Sequence, residues 1–359
     1  MKLNFYLLII LLVIIKIQIF SQSHENNSNK FISLFSSEDS SQISCYRIPA
    51  IITAQNGDLI AAIDERVESC KDLNSNKDIN IVIRKSFDNG NTWTQIERIV
   101  DYPFGQSASD PSFILDKITG EIFLFFNYMD LENENGIYYH KFVSSNDNGS
   151  SWSLPKDISS FIIKKENRKD FQFITSGNGI QTSSGQLLHT LVNLNKGLFI
   201  FGSNDHGKTW FIIDTPLNPA DESKIIELND GSWMVNSRVN NFGKRFIHIS
   251  KDEGKTWQSY ADSNLIDPGC NASLISAKYN GIDILLFSNV KSKDSRKNMS
   301  ISVSYDNGKT WSLVKTIYAG SAAYSSMTVL KNGDIGLFFE KDDYTNNVFV
   351  KFPINFFNK

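Results

Sequence analysis

The sequence has 359 residues, with 36 Lys and Arg against 39 Asp and Glu and a net charge of −3; no block of basic residues stands out, which argues against a nucleic-acid partner. Cys45, Cys70 and Cys270 are too few for a disulfide framework and lack a zinc spacing, so at most one bridge can form and its pairing stays open. His24, His140, His189, His206 and His248 are scattered without the paired spacing of a metal site, and neither a Gly-x-Ser-x-Gly elbow nor a phosphate loop occurs, so no metal and no cofactor is expected.

In chain order, Met1-Lys2 precedes a wholly apolar run from Phe5 to Ile15, followed by Lys16 and the polar Ser21-Gln22-Ser23. An apolar stretch this short behind a positive residue reads as a signal peptide over residues 1–22, and Lys16 interrupts any longer span. A secreted, periplasmic or cell-surface protein is expected, with no stable membrane insertion after cleavage. Residues 23–33 have no apolar periodicity and read as a flexible mature N-terminus. From 34 to 359 the chain alternates short apolar runs, such as Ile79–Ile83 and Ile122–Phe126, with turn breakers such as Gly120. Helical periodicity is almost absent, so the domain reads as all-β.

Within this region the pattern Ser-x-Asp-x-Gly-x-Thr/Ser-Trp recurs from Ser86, Ser145, Ser203, Ser250 and Ser304, ending at Trp93, Trp152, Trp210, Trp257 and Trp311. An interval of roughly 50 residues with a turn in every unit suits a propeller blade of about four strands, and residues 34–359 accommodate a six-bladed β-propeller in which one blade lacks the pattern. Asp supplies hydrogen-bond acceptors to following amides, Gly tolerates positive φ, and Trp packs back over the turn. A turn repeated in this way marks no unique site and is read as structural. The pattern resembles the Asp-box, or BNR, repeat.

Arg is scarce in this Lys-rich chain, and four arginines stand at strand ends. Arg47 begins one strand, Arg66 follows Leu59–Ile63, Arg238 ends Trp233–Ser237, and Arg296 precedes the strand entering the last repeat. Strand ends from different blades face one axis, where convergent guanidinium groups make a bidentate receptor for a carboxylate.

The contexts of these arginines resemble exo-α-sialidases. Tyr46-Arg47-Ile48-Pro49 is similar to the family's [FY]-R-I-P motif, and Glu222-Ser223 with Asn236-Ser237-Arg238 to its glutamate segment and second arginine. Ser295-Arg296-Lys297-Asn298-Met299 resembles the third-arginine segment, Tyr318 to Ser326 the tyrosine segment, and Phe338-Phe339-Glu340 the acidic residue after it. The resemblance implies Tyr324 as nucleophile, Glu222 as its base, and Arg47, Arg238 and Arg296 as a carboxylate clamp, with Glu340 holding Arg47. It also implies that Arg66 contacts the O4 side of the sugar and that Asp110 touches substrate; a turn Asp before Pro is the plainer reading of Asp110. The acid/base lies in this family on the loop after Arg66, which here offers Asp72 and Asp78. Asp78 abuts the strand Ile79–Ile83 and reads as a strand-start residue, which favours Asp72.

The activity so implied is retaining hydrolysis of terminal sialic acid from glycoproteins, glycolipids or oligosaccharides. A trans-sialidase or an intramolecular trans-sialidase would use the same residues. A glycan-binding propeller that had lost catalysis need not keep Tyr324, Glu222, Asp72 and the three clamp arginines together.

Overall fold

The computed structural model describes residues 30–358; the expected signal peptide, and residues 23–29 after it, lie outside the described residues. The short apolar runs become strands whose two faces are both covered by neighbouring sheets. Leu59–Arg66 and Leu187–Asn193, for example, are buried along their whole length, which is why they read as continuous rather than alternating.

After β1 (Ile32–Ser36), the first sheet is β2 (Cys45–Thr53), β3 (Leu59–Arg66), β4 (Ile79–Ser86) and β5 (Glu97–Val100), in that order. The second holds β6 (Gln106–Leu115), β7 (Ile122–Asp130), β8 (Tyr139–Ser145) and β9 (Lys156–Asp157). The third has β10 (Gln172–Ile174) at its edge; β11 (Gly177–Asn178) pairs parallel to β6, and β12 (Ile180–Gln181) pairs with β13 (Leu187–Asn193), which continues to β14 (Gly197–Ser203) and β15 (Phe211–Leu217). The fourth is β16 (Ser223–Glu227), β17 (Trp233–Ser237), β18 (Lys244–Ser250) and β19 (Gln258–Ile266). The last strands are β20 (Ser273–Tyr279), β21 (Ile282–Val290), β22 (Lys297–Ser304), β23 (Leu313–Val329), β24 (Ile335–Lys341) and β25 (Asn346–Phe352). Among the described residues no helix is long and apolar enough to cross a membrane.

The six-bladed propeller expected from the repeat interval is corrected here. Four blade-like sheets form, and the remaining strands make one seven-stranded, half-barrel-like sheet in the order β1-β25-β24-β23-β22-β21-β20. The cause is β23: its 17 residues pair with β22 through the first half and with β24 through the second, so no break separates the strands on either side. Dividing a length by a repeat counts turns and cannot see one strand serving two hairpins. In that last sheet β1 comes from the other end of the chain to pair with β25, so no turn, and no repeat pattern, joins the pair. Ile32 and Ser33 enter β1 ahead of the boundary expected at residue 34.

The core is divided among the interfaces between successive sheets. Ile60, Ala62 and Ile83 of the first meet Phe113, Leu124 and Phe126 of the second, and Phe35, Phe338 and Phe349 of the last sheet meet Ile51, Leu59 and Ala61 of the first, closing the ring. The repeated turns serve these interfaces. In the third copy Ser203 Oγ accepts from Gly207 N at 2.8 Å, Asp205 Oδ1 accepts from Thr209 N at 2.9 Å, and Thr209 Oγ1 donates to Asp205 Oδ2 at 2.6 Å. Gly207 has φ +78°, and a Cβ there would lie 2.3 Å from the Phe123 ring of the preceding sheet. Gly90 likewise sits on Phe349, Gly149 on Ile60, Gly254 on Ile213 and Gly308 on Met234, each on the sheet before it in the ring.

Candidate active site

Three strands break register where they reach one end of the ring axis. β2 shifts against β3 between Arg47 and Ala50, β6 against β7 between Ser109 and Ser112, and β23 against β24 between Ala322 and Ser325. Such bulges re-aim side chains. Ile48 and Asp110 take φ of 69° and 63°, unusual for any residue and costly for a β-branched one. Glu340 holds the first of these: its Oε1 accepts from Ile48 N at 3.0 Å and from Arg47 Nε at 3.0 Å, while Oε2 accepts from Tyr324 N at 3.0 Å. One buried carboxylate thus fixes both the Arg47 strand and the Tyr324 strand.

The result is a cavity of about 280 Å³ lined by Arg47, Asp72, Asp110, Glu222, Arg238, Arg296 and Tyr324, seven of the nine residues singled out from the sequence. Glu222 and Arg238 face each other because Arg238 N donates to Glu222 O at 3.0 Å, extending the β16–β17 hairpin beyond its last strand residues. At its floor Tyr324 Oη donates to Glu222 Oε2 at 2.8 Å, and Arg238 Nη1 reaches both that carboxylate and Tyr324 Oη, the latter at 3.1 Å. Burial pushes the Tyr324 phenol well above its ordinary range and the Glu222 charge adds to this, while Arg238 and Arg296 oppose it. The phenol is therefore protonated in the free site, with Glu222 as its acceptor.

The three arginines differ in how their charge is met. Arg47 is paired with Glu340 and lies 4.3 Å over the Tyr344 ring; Arg238 is paired with Glu222. Arg296 has no carboxylate partner among the described residues: Nη1 donates to Tyr344 Oη at 3.1 Å and Nη2 to Gly269 O at 3.5 Å. Its guanidinium is the cation most available to an incoming anion.

Asp72 stands at the start of a short 3-10 turn, Leu73–Ser75, with its side chain 75% exposed at the cavity rim. Arg66 Nη1 donates to Asp72 Oδ1 at 2.8 Å. Partial burial would raise the Asp72 carboxyl, but Arg66, with Arg47 and Arg296, outweighs it and holds the group below the usual carboxylate range. Asp78 lies off the cavity at the start of β4, accepting from Asn80 Nδ2 at 3.3 Å.

Arg66 and Glu340 are not brought to the cavity wall. Arg66 is 1% exposed and spends its donors on Asp64, Asp72 and the Cys70 and Lys71 carbonyls. Asp110 lines the cavity and accepts from Asn127 Nδ2 at 3.0 Å; burial, then Asp64 and Glu222, raise its carboxyl well above the ordinary value. Sequence reasoning missed Tyr344, Asp64 and the apolar wall of Tyr138, Phe171, Phe173 and Leu194. Only Phe171-Gln172-Phe173 carried a local signal, two aromatic side chains around the short strand β10, of which Phe171 is exposed. Cys45 and Cys70 form the one disulfide, Cα atoms 5.6 Å apart, leaving Cys270 free and buried. Among the described residues no group of three or more His, Cys, Asp or Glu is arranged to hold a metal ion.

Comparison with known proteins places this geometry in context. The chain is 32% identical over 329 residues to a sialidase of Micromonospora viridifaciens, covering 82% of this chain and 50% of that protein. It is 28% identical over 331 residues to a sialidase of Bacteroides fragilis, covering 82% of this chain and 60% of that protein. The chain thus spans 50–60% of the length of these relatives. Among solved structures, a Hadza microbial sialidase superposes with a TM-score of 0.81 at 26% identity, covering 91% of this chain and 69% of that one. A leech intramolecular trans-sialidase shares the fold with a TM-score of 0.79 at 20% identity, covering 91% and 71%. Residues 57–337 match the BNR repeat-like domain family, and the chain belongs to that family.

Proposed function

We propose that the protein is a retaining exo-α-sialidase that hydrolyses terminal sialic acid from glycoproteins, glycolipids or oligosaccharides. The observation that carries this reading is the Tyr324–Glu222 hydrogen bond of 2.8 Å set among Arg47, Arg238 and Arg296. Sialic acid bears a carboxylate on its anomeric carbon, so a carboxylate nucleophile would approach against like charge. A neutral phenol with an adjacent base avoids this, and a tyrosine nucleophile is a known departure from the two-carboxylate scheme.

In the first step Arg296, Arg238 and Arg47 bind the substrate carboxylate and orient the anomeric carbon over Tyr324 Oη. Glu222 takes the phenolic proton as the oxygen attacks, and protonated Asp72 gives its proton to the departing glycosidic oxygen. In the second step Asp72, now ionised, deprotonates a water that attacks the anomeric carbon; the tyrosyl oxygen leaves and recovers its proton from Glu222. Two displacements retain configuration, so the first-formed sugar is the α anomer. Glu340 acts through Arg47, and Arg66 through Asp72. Support for an extracellular substrate is the signal peptide expected at residues 1–22.

The test is incubation of the purified mature chain with a fluorogenic sialoside beside matched neutral glycosides. Release from the sialoside alone is the expected result, and cleavage of neutral glycosides at equal rate contradicts the reading. Product NMR then separates free sialic acid from a transferred or anhydro product.

A further inference from the structure

We infer that the Cys45–Cys70 disulfide is a positioning element for Asp72, an inference that rests on reading Asp72 as the general acid. Cys45 opens β2, two residues before Arg47 and opposite Arg66 in register. Cys70 lies on the loop from Val67 to Asp78, two residues before Asp72. The bridge therefore joins the first strand of the site directly to the segment that carries the acid.

The base of that segment is held where Val67 N donates to Asp78 O at 3.0 Å and Gly105 N to Lys77 O at 2.8 Å, and nearer to Asp72 its anchors are these. Arg66 Nη1 donates to the carbonyls of Cys70 at 2.8 Å and Lys71 at 3.1 Å as well as to Asp72, and Asn76 Nδ2 donates to Ser69 O at 2.6 Å. Leu73 packs with Met129, Leu131 and Tyr138 in a small satellite cluster. Glu68, Lys71, Asp72, Asn74 and Ser75 are exposed. A solvent-facing carboxylate thus has its place set by the Arg66 guanidinium, by Leu73, by the buried Asn76, which also donates to Lys71 O at 3.4 Å and accepts from Ser107 Oγ at 2.7 Å, and by one covalent link. Without the link the loop samples a larger volume, and a displacement of about 1 Å in a catalytic group is enough to cost on the order of hundredfold in rate.

The consequence is specific to proton donation. A glycoside with a poor, alkyl leaving group needs the proton, whereas 4-nitrophenolate departs without it. The experiment compares kcat/KM for methyl α-sialoside and 4-nitrophenyl α-sialoside in the wild-type protein, in the Cys45→Ser, Cys70→Ser double variant and in Asp72→Asn. The ratio of the two constants is unaffected by the fraction of folded protein and by any shared loss of carboxylate binding through Arg47. The expected result is a fall in the methyl to nitrophenyl ratio of at least about tenfold in both variants. If Asp72→Asn shows this fall and the double cysteine variant loses activity equally on both substrates, or not at all, the positioning role is overturned while Asp72 keeps its part. If Asp72→Asn leaves the ratio unchanged, the acid assignment fails and this inference with it.

Discussion

Two tests at the residue scale follow from how charge is distributed around the cavity. Lysine at position 238 keeps the positive charge but cannot offer two parallel N–H donors to a carboxylate. Losing a charge-assisted hydrogen bond costs roughly 1.5–3 kcal/mol, so Arg238→Lys lowers kcat/KM for a sialoside by at least about tenfold. On the methyl ester of the same sialoside, already a poor substrate, the variant loses little more; equal losses on acid and ester show that Arg238 does not hold the carboxylate. The second test concerns pH. In the free site Arg66, Arg47 and Arg296 favour the ionised form of Asp72 and hold its pKa down, so the protonated Asp72 on which the proposed mechanism depends is scarce as pH rises. A bound substrate carboxylate cancels part of that positive field and must raise the pKa of Asp72 in the complex. Since kcat/KM reports the free protein and kcat the complex, the descending limb of kcat lies at higher pH than that of kcat/KM. Coincident limbs, or the reverse order, contradict this.

Among the elements, the repeated turn was legible because much of its chemistry is local: Asp205 accepts from Thr209 and Gly207 takes a positive φ within eight residues, while Trp210 packs on Phe123 of the sheet before it. What the sequence did not reveal is that the glycine faces outward from its own sheet onto the one before it. That contact makes a sharp comparison. Asp205→Ala loses hydrogen bonds to exposed amides that water can replace, and lowers the melting temperature by on the order of 2 °C. Gly207→Ala instead drives a methyl into Phe123 at positive φ, and costs about 2–4 kcal/mol by urea unfolding. Activity per folded molecule is unchanged in both; a loss of turnover at unchanged stability would make the turn functional. The sequence also pointed to the arginines, Glu222 and Tyr324, because they sit in motifs whose residue types the chemistry needs. Tyr344 and Asp64 were not legible: each matters only through partners brought close by the fold, Tyr344 by stacking on Arg47 and Asp64 by accepting from Arg66 and Ser109. The resemblance implied that Arg66 contacts substrate, yet its donors are taken by protein oxygens.

At the scale of the whole molecule, the site depends on ring closure. Arg47 belongs to the first sheet and Glu340 to the last, so the ion pair that fixes Arg47 spans the junction sealed by β1. Phe35, fully buried there, lies 5.5 Å from the Tyr46 ring and 5.9 Å from Phe338. Phe35→Ala opens a cavity at the seam and lowers unfolding free energy by about 3–5 kcal/mol. Because Glu340 reaches Ile48, Arg47 and Tyr324 independently of Phe35, kcat/KM of the folded fraction stays within about threefold. A much larger kinetic loss would mean that the seam itself shapes the site. The blade count escaped the sequence for the same topological reason: a long strand shared between two hairpins, and a strand borrowed from the far end of the chain, leave no mark in a local pattern.

The proposed mechanism requires a covalent bond between Tyr324 and the sugar, and peptide mass mapping after reaction with a 3-fluorosialosyl fluoride looks for that bond itself. Fluoride leaves readily, while fluorine beside the anomeric carbon destabilises the oxocarbenium-like transition state and slows release of the intermediate. The expected result is a single sialosyl adduct on the peptide containing Tyr324, absent in Tyr324→Phe. An adduct on another residue, or turnover by Tyr324→Phe at the wild-type rate, would contradict it.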